Sequence, residues 1–140
     1  MNYKSTLVNL YYLLMLADGK INERELILGR KMMEAENINE AEFNQELENL
    51  QSITDHSTTL KQVVTEIKKL ELKWQIRCIA WMCVIANADG FMAKDEWVLI
   101  YKIYHTELKL SLDEIMKTQK ELNQIIHGRA FTSLGVRMTD

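Results

Sequence analysis

The chain has 140 residues, which suits one domain able to bury a core without disulfides or a structural metal. Hydrophobic residues make up 47% and charged residues 26%, and a net charge of −3 speaks against a general nucleic-acid binder, which carries a basic face. There is no proline and there are five glycines, so long uninterrupted helices are favoured.

The first segment, through Gly19, has neither a basic n-region nor a small-residue cleavage site, so no signal peptide is expected. Its apolar residues Leu7, Leu10, Tyr11, Leu14 and Met15 recur at helical spacing and predict a helix over Lys4–Ala17, stopped by Gly19. Asn22 and Glu25 form a capping box that opens helix two, with Ile21 and Leu26 as a hydrophobic staple. Leu26, Ile27, Met32 and Met33 are expected to line its buried stripe. Asn39 and Glu42 open helix three in the same way, with Phe43, Leu47 and Leu50 facing in. Between Met33 and Thr59 there is no Lys or Arg, while Glu34, Glu36, Glu40, Glu42, Glu46, Glu48 and Asp55 fall there. This reads as a solvated helix face, or as a docking surface for a basic partner or a cation.

Ser57 is the expected cap of helix four, whose stripe is Leu60, Val63, Val64, Ile67 and Leu70. Helix five, Leu72–Ala88, is apolar on nearly all sides from Ile76 onward and should be the central, covered helix. Its longest apolar stretch, Cys78–Ala88, is broken by Asn87 and is too short to cross a bilayer, so no direct membrane insertion is expected. Cys78 and Cys83 lie in it without a CxxC spacing and are expected as buried free thiols, which fits a reducing, cytoplasmic location. Gly90 ends the helix. Helix six is predicted over Lys94–Leu108 with Trp97, Ile100, Tyr101 and Tyr104 inward. Ser111 and Glu114 open helix seven, which should end near Gly128 and leave an irregular tail over 129–140.

The chain repeats itself. Ala17-Asp18-Gly19 through Glu25 matches Ala88-Asp89-Gly90 through Glu96 at a constant offset of 71 residues. After one inserted residue, Asn39-x-x-Glu42-Phe43 matches Ser111-x-x-Glu114-Ile115. The expected architecture is all-α: about seven helices from two helix–Asp-Gly–helix units, over 4–52 and 72–127, around a pseudo-twofold axis with helix five buried between them.

The doubled D-G-x-φ-x-x-x-E, with φ apolar, is the constellation that can carry chemistry. It matches the second half of an EF-hand calcium loop. The first half fails, because Leu14 and Leu16 in one unit, and Ile85 and Asn87 in the other, stand where carboxylates should be. On this doubled motif, and over roughly Asn2–His127, the chain resembles the TerB-like family. That family includes bacterial tellurite-resistance proteins and the related N-terminal domain of a membrane-anchored DnaJ-type co-chaperone. The resemblance implies a seven-helix fold with pseudo-twofold symmetry and an acidic site where the two units meet. Carried over, the metal ligands are Asp18, Glu25, Asp89 and Glu96, and the cofactor is a divalent cation: calcium, magnesium, manganese or zinc. The chain departs from an even repeat at Ala93, which stands where the first unit has Asn22.

Turn chemistry offers a second account of the same acids. Glu25 sits at N3 of a capping box, carboxylates favour helix N-termini, and Asp18 can accept from turn amides. Against it, Asp18 and Asp89 occupy helix C-termini, where negative charge is disfavoured, and a local rule broken twice at equivalent places points to function. His56, His105 and His127 are scattered with no metal-ligand spacing, the methionines and tryptophans read as core, and no phosphate-cradling glycine loop is present.

Three functions follow as expectations. The first is a non-enzymatic tellurite-resistance or stress-response domain, responsive to a divalent cation held by acids of both units. The second is a protein-interaction module, co-chaperone-like or scaffolding, with a protein partner that is in some cases membrane-associated and with the acids as structural caps. The third, a metal-assisted hydrolase, lacks a nameable nucleophile.

Overall fold

The structure is a computed structural model. It describes residues 1–19, 23–88, 90 and 92–133, with side chains described only as far as His127. Every regular element among the described residues is helical: α1 Tyr3–Asp18, α2 Glu23–Ala35, α3 Glu40–Gln51, α4 His56–Lys68, α5 Leu72–Ala86, α6 Lys94–Tyr101 and α7 Leu112–Ser133. A π-helical turn, Lys102–Glu107, continues α6. No described helix is long and apolar enough to cross a membrane.

The caps set most helix starts. Asn2 accepts from the Ser5 amide to open α1, and Asn39 accepts from the Glu42 amide to open α3. The Ser111 hydroxyl accepts from the Glu114 amide ahead of α7. At α4 the cap is Asp55, two residues earlier than the expected Ser57. Its carboxylate accepts from the amides of Ser57 and Thr58 and from both their hydroxyls, a set that a serine oxygen cannot match. Those bonds hold the Asp55 carboxyl down at about 2. Helix α7 runs on to Ser133, beyond the expected stop near Gly128, so 129–133 is helical rather than irregular; 134–140 lie outside the described residues.

Helix α5 is the centre. From Cys78 to Ala86 every residue is buried, and α1, α2, α6 and α7 pack against it. A helix apolar all round has no face to give to water, so covering it organises the other helices. Around it, Leu7, Leu10 and Leu14 of α1, Met32 of α2, Ile67 of α4, Ile100 and Ile103 of the α6 segment, and Ile115 and Leu122 of α7 are all fully buried. One polar knot lies in this packing. A single oxygen of Glu36, just past α2, accepts from Tyr3 Oη at 3.0 Å, from Trp81 Nε1 at 2.6 Å and from Arg77 Nε. Glu36 thus ties α1, α2 and α5 together, and is no part of a solvated acidic face. Burial first, and then the Glu36 carboxylate, push the Tyr3 hydroxyl far above its ordinary range.

Left-handed backbone conformations recur at close to the 71-residue offset read in the sequence. The positive-φ residues among those described are Gly19 and Gly90, 71 apart, and Asn37 and Lys109, 72 apart. The inserted residue of the second unit is absorbed by the π turn. In the first unit the Glu36 amide bonds Met32 O and the Ile38 amide bonds Met33 O. In the second, Leu108 bonds Ile103 O and Leu110 bonds Tyr104 O. The carbonyls keep the offset of 71 while the amides shift to 72. A π turn widens the helix by one residue at such a point and lets both third helices start in equivalent places.

Candidate metal centre

Met32, Ile100 and Tyr104 face inward as expected, but nearer their starts α2 and α6 differ from expectation in the same way. On α2, Glu25, Gly29 and Met32 are buried, while Leu26 is 41% and Ile27 47% exposed. Along the α6 segment, Glu96, Ile100 and Ile103 are buried, while Trp97 is 38% exposed and Tyr101 lies outside as well. The buried positions pair at the repeat offset: 25 with 96, 29 with 100, 32 with 103. Each helix therefore turns an acid, rather than the apolar residue after it, toward the core. A close approach allows this on α2, where Gly29 lies under the Tyr11 ring and a Cβ there would stand 2.7 Å from the ring atoms. Tyr11 also reaches the Glu25 backbone carbonyl with its hydroxyl, at 3.5 Å. Burial, and next the Glu25 charge, push the Tyr11 hydroxyl up to about 12.

Asp18 is the last residue of α1, held by a left-handed Gly19 whose amide bonds Leu16 O. The turn brings it to the first turns of α2 and α6. One carboxylate oxygen from each of Asp18, Glu25 and Glu96 lies within 4.8 Å of the others. Asp18 is half-buried, whereas Glu25 and Glu96 are only 3% and 2% exposed. Three of the four sequence-derived site residues are thereby brought together. The fourth, Asp89, lies outside the described residues, as does Asn22, the expected cap of α2.

Glu96 shows what the acid does locally and what it leaves over. Its Oε1 accepts from the Ala93 amide at 3.3 Å, which is half of a capping box, since alanine has no side-chain acceptor to return the bond. Its Oε2 is buried with no hydrogen-bond partner among the described residues. Capping therefore accounts for one oxygen of Glu96 and not for the other. The N-terminal ends of α2 and α6 favour carboxylates, but three of them so close repel by roughly 3 kcal/mol per ionised pair. A cation fits this donor set. All donors are carboxylate oxygens, the set suited to calcium, magnesium or manganese, and neither His nor Cys joins the cluster as zinc would prefer.

A family model described as "Tellurite resistance protein TerB" matches residues 4–119. The chain belongs to the TerB family. Comparisons with curated proteins and with solved structures give no match. The TerB match takes in α1 to α6 and the start of α7, and with them Asp18, Glu25, Asp89 and Glu96. Two features of this TerB chain escape its sequence: the Tyr11–Gly29 contact that seats Glu25, and the Glu36 knot. The glycine in the middle of α2, costly for a helix, was the available signal for the first. Glu36, three residues past Met33 and within an acidic run, carried no signal for the second.

Proposed function

We propose that this chain is a non-enzymatic, cation-responsive module of the tellurite-resistance and stress-response type. Asp18 and Glu25 of the first unit and Glu96 of the second would hold one divalent, oxygen-seeking cation, with Asp89 as the fourth ligand by repeat equivalence. The observation that carries this reading is the buried Glu96 Oε2 without a protein partner, beside carboxylates from two other helices. A bound cation supplies charge neutralisation and a bridge between the two units about their pseudo-twofold axis. Glu96 also caps the entry of α6 through the Ala93 amide, and Asp18 is the last residue of α1. The test is calorimetric titration of chelator-treated full chain with calcium, magnesium and manganese, beside an Asp18→Asn/Asp89→Asn variant. Saturable binding that the folded variant lacks supports the reading; equal behaviour of the two proteins overturns it.

A second reading, a protein-interaction module, is favoured by exposed apolar side chains on α6 and α7: Trp97, Val98, Leu112 and Met116. Exposed aromatics and methionines suit partner binding. The partner would be a cytoplasmic protein, free or at a membrane surface. Copurification of one specific partner that survives Asp18→Asn/Asp89→Asn would favour this account over the cation.

A further inference from the structure

The two oxygens of Glu96 are unequally committed, and this limits what the acid cluster can grip. Oε1 accepts from the Ala93 amide at the entry of α6. Oε2 is buried and has no partner among the described residues. The residue is only 2% exposed, so bulk water does not satisfy that oxygen either. Ala93 has no side-chain acceptor to offer the first amides of α6, which leaves the Glu96 bond as the side-chain contribution to this helix start. A cation beside Glu96 therefore meets one open oxygen. To take both, it would have to compete with the cap.

The surroundings add few further donors. Leu14 and Ile85 stand where an EF-hand has its first carboxylate, and both are buried in the apolar core. Asn87 turns its side-chain amide to Cys83 O. Asp18 is half-buried and Gly19 beside it is exposed, so solvent reaches the cluster from that turn.

On the reading of a cation held by these acids, we infer that the site prefers a small octahedral cation, magnesium or manganese, over calcium. Calcium takes about six to eight oxygens, and in the EF-hand a glutamate closes the shell with both of its own. Magnesium takes about six in a strict octahedron, keeps several waters and needs few carboxylates. Manganese shares the oxygen octahedron. A Glu96 that offers one oxygen, a short list of other donors and solvent at Asp18 match the second pattern. Calcium still enters, at higher concentration.

The experiment is calorimetric titration of the chelator-treated full chain with magnesium, manganese and calcium in parallel at one ionic strength, followed by calcium into the magnesium-loaded protein. Magnesium or manganese should bind more tightly than calcium, and the tighter of the two names the ion. Ala93→Pro tests the cause. Proline fits the φ of −64° at this position and lacks the amide, so it frees Oε1 without altering a carboxylate. In the folded variant calcium affinity should rise about tenfold relative to magnesium, because Glu96 can then close on calcium with both oxygens. Calcium binding the native chain more tightly than either smaller ion would overturn the preference and leave the cation site standing. An unchanged calcium-to-magnesium ratio in folded Ala93→Pro would overturn the part given to the Ala93 bond. Saturable binding of none of the three ions would remove the site itself, and the preference with it.

Discussion

Glu25 and Glu96 stand 71 residues apart in the chain, yet an oxygen of each lies within 4.8 Å of the other, and both residues are buried. Placing like charges together in a core is costly, and Asp18 adds a third. Glu96→Gln keeps the bond from the Ala93 amide and replaces one charge by a donor that Glu25 can accept. In chelator the variant should be more stable than the native chain, by roughly 1–3 kcal/mol. Thermal unfolding with and without calcium checks this: the native chain should gain stability on addition of the cation, and the variant should gain little.

The Glu36 knot makes the opposite case, a buried acid whose partners are all present. Glu36→Ala leaves Arg77, Trp81 Nε1 and Tyr3 Oη without their shared acceptor. It should cost about 3 kcal/mol or more, read from urea unfolding at neutral pH, with cation binding retained by the folded fraction.

Gly29 lies under Tyr11, so Gly29→Ala forces the ring aside. Alanine is the better helix former by about 1 kcal/mol, yet the overlap should win and leave a net loss of roughly 1–2 kcal/mol. Because Tyr11 also contacts the Glu25 backbone, calcium affinity should fall together with stability. A variant as stable and as tight in binding as the native chain would show that α2 can shift away from α1 at no cost.

These three positions also mark where sequence reading succeeds and where it stops. Capping boxes placed the starts of α3 and α7, and the all-apolar run of α5 marked the central helix, because those signals are local. On α2 and in the α6 segment Met32, Ile100 and Tyr104 face inward as expected, whereas Leu26, Ile27, Trp97 and Tyr101 do not, because acids are expected outside and apolar residues inside. Leu26 and Trp97 have the right period for a stripe that Glu25 and Glu96 in fact occupy, one residue earlier. The doubled motif singled out those acids, but only the fold shows that three helices deliver three of them to one point. The π turn was foreshadowed by the single inserted residue of the second unit, whose place in a helix periodicity alone does not give.

The thiols provide a pH test. Burial pushes Cys83 up to about 12 and Cys78 further still. An acid raised in the folded state leaves stability unchanged below its unfolded value and lowers it as pH rises beyond that value, about 8.5 for a thiol. Stability should therefore fall from about pH 9 upward, and less so in Cys78→Ala/Cys83→Ala. At pH 8 a thiol reagent should react with the native chain only as fast as it unfolds.

The most direct test of a cation held jointly by both units is manganese-induced broadening in the amide NMR spectrum of the full chain. Substoichiometric manganese should erase the signals of Gly19, Glu25 and Glu96 together, and excess calcium should restore them. Broadening confined to one unit, or centred on the acidic stretch from Glu40 to Glu48, would contradict the account and return Asp18, Glu25 and Glu96 to turn and cap chemistry.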